Sequence, residues 1–165
     1  MKPVFAEKTT YKGKDYKSEL YIKNDYSEIS PITQAHAVCF IDKNTLLFQQ
    51  FRDGTLGNLG GGIRPSENIE QALRRELIEE GQCELLSWKT FGYERISKLS
   101  QPGLYEYFLR TAAHVKLLDK SVKDPCGKSI GRAIVPYCIA AHKLGWGKKG
   151  RLLLKYARKK YLEYI

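Results

Sequence analysis

One segment limits the fold of this chain more than any other, a glycine-rich stretch that leads into a helix. Residues 53–62 (DGTLGNLGGG) are so rich in glycine that we expect a flexible loop there rather than a regular element. Asn68 then suits a helix N-cap, and Gln71 stands where a capping-box side chain reaches back. Gly81 is expected to end the helix. Four apolar residues recur at spacings of three and four and define its buried face: Ile69, Ala72, Leu73 and Leu77.

Strand patterns lie on both sides of this helix. Residues 3–30 alternate between apolar and polar, with a hairpin tip at residues 11–16. Residues 133–139 are expected to form a short edge strand, because Pro136 cannot donate a hydrogen bond to a neighbouring strand. Further strands are expected at Ile32–Phe40, Thr45–Phe51, Leu85–Ile96 and Leu104–Val115. Strands around one central helix predict a layered α/β (α+β) domain.

The length of 165 residues fits one domain over residues 1–165. Residues 1–31 would form an N-terminal strand or hairpin extension of it, and residues 142–165 a basic C-terminal helix. Hydrophobic residues make up 42% of the chain and charged residues 28%, as in soluble globular proteins. No apolar run approaches the ~20 residues that span a bilayer, and the first residues lack the apolar core of a signal peptide. We therefore expect a cytoplasmic protein without a membrane partner.

The cysteines provide no sign of a disulfide framework or a zinc site. Cys39, Cys83, Cys126 and Cys138 form no C-x-x-C pair and stand at no zinc-ligand spacing with a histidine. We expect them to be free, buried thiols in a reducing compartment.

Positive charge is concentrated at the end of the chain. The 28 Lys and Arg outnumber the 18 Asp and Glu, which gives a formal net charge of +10. Residues 142–165 hold +7 of this excess, with Glu163 as the one acidic residue. Such a surface attracts phosphate-bearing partners, whether nucleotides, RNA or an anionic membrane. The alternative is an amphipathic helix whose lysine stems lie over the core.

Three glutamates of the predicted helix share one face. Glu76, Glu79 and Glu80 stand at i, i+3 and i+4, so their carboxylates converge. Like charges this close repel each other unless a cation lies between them, and carboxylate oxygens suit Mg²⁺ or Mn²⁺. Arg75 can pair with Glu79 one turn on. A solvated acidic face is the alternative, but the glycine-rich approach lets backbone groups come close to a metal or a pyrophosphate.

Residues 61–83 resemble the signature of the Nudix hydrolase family. That signature is a glycine, five residues, a glutamate, seven residues, R-E, an aliphatic residue, any residue, E-E, any residue, a glycine and an aliphatic residue. Gln82 departs from it, because it stands in place of the closing glycine, and Cys83 replaces the aliphatic residue. The matching residues, with every spacing intact, are Gly61, Glu67 and Arg75-Glu76-Leu77-Ile78-Glu79-Glu80.

The resemblance implies a Nudix-like α/β/α sandwich with a mixed sheet and a central loop-helix-loop. The implied ligands of the cofactor, Mg²⁺ or Mn²⁺, are Glu76, Glu79, Glu80 and the carbonyl oxygen of Gly60. Glu76 and Glu79 would also act in catalysis, Glu79 as a ligand or a base. Arg75 and Glu67, with Gly61 beside them, would orient these glutamates while water attacks phosphorus.

In this family the general base can lie outside the signature. Glu106 follows residues 100–105 (SQPGLY), which resemble the serine-proline-glycine loop of ADP-ribose pyrophosphatases. Residues 50–52 (QFR) resemble a second stretch of that subgroup. Glu106 is therefore the first candidate for the base, and Glu94 the second. For the substrate, Arg52 and Arg64 can hold phosphate, and Phe51 can stack on a nucleobase.

We expect a Mg²⁺-dependent pyrophosphohydrolase that acts on a nucleoside diphosphate linked to another group, with ADP-ribose or a nucleotide sugar first. Other candidate substrates are (d)NTPs, dinucleoside polyphosphates, and capped or triphosphate 5′ ends of RNA, the last bound through the basic C-terminal helix. A non-catalytic nucleotide- or RNA-binding module is the alternative from another class. It would have no need for three mutually repelling carboxylates. Either a monomer or a homodimer is expected, since residues 1–30 could add strands to a partner subunit.

Overall fold

The computed structural model describes residues 1–119 and 129–165, which form nine strands and three helices. The strands are β1 (Phe5–Tyr11), β2 (Lys14–Tyr21), β3 (Ile32–Asp42), β4 (Thr45–Phe51), β5 (Leu56–Gly57), β6 (Leu59–Gly62), β7 (Cys83–Lys98), β8 (Glu106–Leu117) and β9 (Ser129–Pro136). The helices are α1 (Ile69–Gly81), α2 (Tyr137–Leu144) and α3 (Gly147–Leu162). None of these helices is long and apolar enough to cross a membrane. Cys39, Cys83 and Cys138 are free, and Cys138 is exposed; Cys126 lies outside the described residues.

The strands form one mixed sheet in the order β1-β2-β7-β8-β3-β4-β5, with β6 paired to β3 and β9 to β4. The β3–β8 pair is parallel, and the other pairs are antiparallel. The N-terminal hairpin extends the sheet of its own chain. Its second strand, β2, pairs with β7 and places Tyr21 opposite Tyr93.

Helices cover both faces of this sheet. Helix α1 buries Ala72, Leu73 and Leu77 against one face. Helices α2 and α3 cover the other face, where the ring of Tyr161 stacks on that of Phe40 with centroids 4.3 Å apart. The predicted α/β/α sandwich with a mixed sheet is confirmed.

Three expectations about individual elements are wrong. The glycine-rich stretch is not a loop throughout, because β6 forms a backbone ladder with residues 34–37 of β3. The strand expected over residues 133–139 ends at Pro136, and residues 137–139 begin α2. Proline ends the ladder, and its fixed φ of −58° suits the start of a helix. Residues 142–165 do not form a single helix, because Gly145 (φ 71°) closes α2 before α3 begins.

Candidate active site

Strand β6 and helix α1 bring the signature residues together. Gly61 of β6 lies opposite Ala35 of β3. The helix starts at Asn68, whose side chain accepts from the Gln71 backbone N–H at 2.9 Å, while the Gln71 side chain accepts from the Asn68 N–H at 2.8 Å. The predicted capping box is therefore confirmed. The helix packs on the sheet beside β6, which leaves Glu76 and Glu80 next to that strand.

The carboxylates of Glu76 and Glu80 contact two consecutive glycines of β6, Gly61 and Gly60. A Cβ on Gly60 would lie 2.3 Å from the carbonyl oxygen of Ala35, and the φ of Gly60 is 131°, which favours glycine. A Cβ on Gly61 would lie 2.7 Å from Oε1 of Glu76. The Gly60 N–H donates to Oε2 of Glu80 at 3.0 Å. The side chains of Glu76 and Glu80 thus reach the backbone of β6. A larger residue at position 61 would collide with Glu76, and one at position 60 would collide with the backbone of β3.

Arg75 ties the other carboxylates into one cluster. Its Nε and Nη2 donate to the two oxygens of Glu67 at 2.7 and 2.9 Å, and they lower the pKa of Glu67 to about 2. Its Nη1 donates to Glu76 at 2.6 Å and to Glu79 at 3.4 Å. The predicted Arg75–Glu79 pair is confirmed. Arg75 also donates to the Gly62 carbonyl at 2.9 Å, so the cluster is anchored to β6.

Glu106 lies at the start of β8, near the end of β6. Its Oε2 accepts from the Thr33 hydroxyl at 3.3 Å, and the carbonyl of Thr33 accepts from the backbone N–H of Ile63 at 3.0 Å. The side chain is exposed. Glu106 is therefore accessible beside the residues that follow the glycine strand.

Glu94 is built into an ion network instead. It is 1% exposed. Arg110 donates to its Oε1 at 2.7 and 2.9 Å, while Lys149 and Ser18 donate to its Oε2 at 2.9 and 2.8 Å. Burial by itself raises the pKa of Glu94, but Arg110 and Lys149 lower it to about 2. A weakly basic carboxylate with both oxygens occupied is a poor general base, which favours Glu106 over Glu94.

The three predicted substrate-binding residues lie in different surroundings. The exposed guanidinium of Arg64 is 3.8 Å from Oε1 of Glu79, so the structure brings Arg64 to the cluster. Phe51 packs over Gly57, where a Cβ would lie 2.8 Å from its ring. Arg52 follows it in the exposed turn after β4, and within the described ranges no ion pair joins it to Glu79 or to its neighbours.

A pocket of about 690 Å³ lies over β1, β2, β7 and β8, with Lys149 of α3 in its wall. Among the described residues, none of those that line it belongs to the signature at residues 61–83. Gln34, one of its lining residues, is the β3 partner of Gly62. The pocket combines aromatic, charged and amide side chains, among them Gln34, Tyr105, Glu106, Phe108, Arg110 and Lys149. A concave site of this size with a few polar groups suits a nucleoside-sized ligand.

Comparison with known proteins identifies the family. The NUDIX domain profile matches residues 32–120, more than half of the chain. The chain belongs to the NUDIX domain family. The predictions of a Nudix hydrolase and of a pyrophosphohydrolase are confirmed at the level of this family.

Solved Nudix structures share the fold at low sequence identity. The fold is similar to that of the Bacillus subtilis pyrophosphohydrolase BsRppH, solved as a mutant, with a TM-score of 0.72, 17% identity, and coverage of 98% of this chain and 99% of that one. A NUDIX hydrolase from Nitrosomonas europaea has a TM-score of 0.61 at 17% identity, with coverage of 79% and 90%. An ADP compounds hydrolase has a TM-score of 0.54 at 16% identity, with coverage of 99% and 95%. No curated protein matches the chain.

Nudix hydrolases generally use a divalent metal ion, and the donor set of this chain fits one. Glu76, Glu79 and Glu80 offer carboxylate oxygens, the ligands that Mg²⁺ and Mn²⁺ prefer. Within the described residues, no three His, Cys, Asp or Glu side chains already surround one point as metal ligands would. Glu76 and Glu79 face Arg75, and Glu80 accepts from the Gly60 N–H. Each of these hydrogen bonds engages one oxygen of its carboxylate. Binding an ion therefore requires the three carboxylates to come together, but not to give up these partners.

Several residues that line the pocket were not predicted from the sequence. Gln34, Phe108 and Lys149 line the pocket without any motif around them. Arg110 did leave a signal, because it is a charged residue in the middle of an apolar strand pattern (YFLRTAAHV). A buried charge requires a partner, but only the structure identifies this partner as Glu94 on the neighbouring strand.

Proposed function

We propose that this Nudix hydrolase cleaves the pyrophosphate bond of a nucleoside diphosphate linked to another group, with ADP-ribose or a nucleotide sugar as substrate and Mg²⁺ or Mn²⁺ as cofactor. The observation that carries the proposal is the contact of Glu76 and Glu80 with consecutive glycines, with Glu76 also held by Arg75. This arrangement puts carboxylates where a phosphate chain can approach bare backbone.

Each residue of the cluster has a role in the proposed reaction. Glu76, Glu79, Glu80 and the Gly60 carbonyl would hold the ion, which when bound would withdraw negative charge from the phosphate oxygens. Arg75, braced by Glu67 and by the Gly62 carbonyl, holds Glu76 and Glu79 in place. Arg64, 3.8 Å from Glu79, can bind a phosphate oxygen at the open side of the cluster.

Glu106 supplies the proposed general base. Its Oε2 is held by Thr33 and its side chain is exposed, so Oε1 can take the proton of an attacking water. Water adds to one phosphorus, and the bond from that phosphorus to the bridging oxygen breaks. For ADP-ribose, the products are AMP and ribose 5-phosphate.

The pocket offers a place for the nucleoside or the sugar. Tyr105 and Phe108 present aromatic rings, and Gln101 and Glu106 present polar groups. The segment that resembles the ADP-ribose pyrophosphatase loop, residues 100–105, supplies Gln101, Leu104 and Tyr105 to this lining. This placement supports ADP-ribose as the first substrate to test.

A triphosphate or capped 5′ end of RNA is the second candidate, and the surface of α3 favours it. Four basic residues recur along one exposed side of this helix: Lys148, Arg151, Lys155 and Lys159. None of the four forms an ion pair with any described residue. The stripe begins next to Lys149, which lines the pocket. It could therefore guide the phosphates of a chain whose 5′ end lies in the site.

The test is a substrate panel with and without Mg²⁺, with products identified by mass. The panel holds ADP-ribose, other nucleotide sugars, dNTPs, dinucleoside polyphosphates and 5′-triphosphate RNA. Glu80→Gln is expected to lose turnover by at least about a hundredfold. Glu70→Gln is the matched control, because Glu70 lies on the same helix and pairs with Arg74 outside the cluster.

Metal-dependent AMP from ADP-ribose would support the first candidate, and cleavage of RNA alone would support the second. No cleavage of any member, with nucleotide binding retained in Glu80→Gln, would contradict both and indicate a binding module.

A further inference from the structure

Helix α1 ends in an arginine clamp that lies outside the signature. Arg132 of β9 donates from Nη1 to the carbonyl oxygen of Gln82 at 2.6 Å and to that of Leu118 at 3.2 Å. The carbonyl of Gly81 lies 3.5 Å from the same nitrogen. The Leu118 N–H also donates to the Gln82 carbonyl at 2.9 Å. One side chain of β9 therefore joins the last carbonyls of the helix to the end of β8.

The clamp acts on a helix end that departs from the Nudix signature. Gln82 is the C-cap, with φ 49° and ψ 47°, in the left-handed region that favours glycine. The signature has a glycine at this position, and here the side chain of Gln82 makes the conformation costly. The last turn of α1 contains no basic residue of its own. Arg132 supplies both hydrogen-bond donors and the positive charge that complements a helix C-terminus.

The clamped end of α1 is the end that carries Glu79 and Glu80. Gly81 packs directly on β6, since a Cβ there would lie 2.6 Å from Cδ1 of Leu59. The residue before it, Glu80, accepts from the Gly60 N–H at 3.0 Å. A shift of the last turn would therefore move the Glu80 carboxylate away from the glycine strand.

We propose that Arg132 is a positioning residue of this enzyme. By holding the Gln82 and Gly81 carbonyls, it keeps the last turn of α1 in register with β6 and sets where the Glu80 carboxylate lies. The proposal rests on the proposed function only for the role of Glu80 as a metal ligand. It extends the catalytic unit from residues 61–83 to β9, a strand that the signature does not include.

The test measures amide hydrogen exchange by NMR and Mn²⁺ affinity by EPR, neither of which needs turnover. Arg132→Met is expected to speed exchange of the Gly60 amide roughly tenfold relative to the Leu109 amide in the central strands, because the Gly60–Glu80 bond opens locally. Mn²⁺ affinity is expected to fall by a similar factor. Adding Gln82→Gly is expected to restore both, because glycine adopts the left-handed cap without a partner.

Two further variants make the result specific. Arg95→Met is the matched control, since Arg95 also bridges elements but does so through Glu19 of β2. It is expected to lower the Tm without changing the relative exchange of the Gly60 amide. Arg132→Lys keeps the charge and part of the bonding, and we expect a severalfold effect from it. If Arg132→Met does not fold, the same exchange and Mn²⁺ measurements are made on Arg132→Lys.

A Gly60 amide that stays as protected as in the wild type in both Arg132 variants would overturn the proposal. Faster exchange spread evenly over the Gly60 and Leu109 amides would also overturn it, because that result means general destabilisation. A wild type that binds no Mn²⁺ and hydrolyses nothing would contradict the proposed function instead, and the exchange data would still decide the role of Arg132.

Discussion

Gly61 and Glu76 approach each other closely enough that a Cβ at position 61 would lie 2.7 Å from Oε1 of Glu76. In the next residue, Gly62, an added Cβ would meet nothing within 4 Å. Two adjacent glycines with similar sequence context therefore have different physical roles. At position 61 the absence of a side chain makes room for a carboxylate, whereas at position 62 the backbone carbonyl matters, because it accepts from Arg75.

This difference predicts the outcome of a pair of alanine variants. Gly61→Ala displaces the Glu76 carboxylate, and kcat/KM is expected to fall by roughly ten- to a hundredfold while the Tm changes by only a few degrees. Gly62→Ala is expected to keep kcat/KM within about twofold. The measurement is steady-state kinetics on the best substrate of the panel. Equal losses in the two variants would mean that the contact with Glu76 is not what position 61 contributes.

At the scale of elements, the ion network around Glu94 joins parts of the chain that are distant in sequence. Lys149 of α3 reaches Glu94 of β7 and Glu7 of β1, and Arg110 of β8 completes the network. Removing one member of a buried ion pair leaves the other charge without compensation. Through Lys149, this network fixes the first turn of α3 to β1 of the N-terminal hairpin and to β7.

We expect Lys149→Met to lower the free energy of unfolding by about 2–4 kcal/mol, because it leaves Glu94 with one cation fewer. Lys148→Met is the control, since the neighbouring Lys148 is exposed and should change this free energy by less than about 0.5 kcal/mol. Urea unfolding at constant m-value measures both. A loss below about 1 kcal/mol in Lys149→Met would show that the network does not secure α3.

The same network predicts how stability depends on pH. The folded-state pKa of Glu94 is about 2, below the ~4.3 of an unfolded glutamate. A lowered folded pKa contributes stability that is complete above about pH 5 and is lost as pH falls toward 2; its order of magnitude is 3 kcal/mol. Glu94→Gln cannot titrate, so its free energy of unfolding should fall less steeply between pH 5 and 2. Parallel curves for the two proteins would assign the acid sensitivity to other carboxylates.

For the whole molecule, the positive charge of the C-terminal region divides into two groups. Lys149 and Lys160 are paired with carboxylates, and Arg158 lies over the ring of Tyr137 at 4.2 Å. These residues agree with the expectation that basic side chains lie over the core. The stripe on α3 remains exposed, as does Lys143 of α2. Most of the exposed positive charge of this region therefore lies on one side of one helix.

If RNA follows the stripe, its removal should change the salt dependence of binding. Each phosphate contact contributes roughly 0.7 to the slope of log K against log salt for a single strand, so losing four contacts should reduce the slope by about 3. Binding of a labelled 5′-phosphorylated oligonucleotide from 50 to 200 mM salt measures this. The variant carries glutamine at Lys148, Arg151, Lys155 and Lys159.

A control with four other exposed lysines replaced by glutamine should keep the slope within about 1. These lysines are Lys2, Lys8, Lys43 and Lys116. Hydrolysis of a free nucleotide should be unchanged in the stripe variant, because none of its four residues lies in the catalytic cluster. Equal loss of slope in the two variants would indicate attraction by net charge alone.

The local features of this protein could be predicted from the sequence alone: the Asn68 capping box, strand β4, the helix that carries Glu76, Glu79 and Glu80, and the pairing of Arg75 with Glu79. These features depend on caps, periodicity and i, i+4 spacing, which act between residues a few positions apart.

Three features were decided by tertiary structure alone. The glycine stretch pairs with β3 as strand β6. Glu94 forms ion pairs with Arg110 and Lys149, and Arg132 donates to the carbonyl at the end of α1. In each of these cases the partner lies between 16 and 55 residues away along the chain. Such contacts form only when the sheet and its helices bring distant segments together, so no local pattern encodes them.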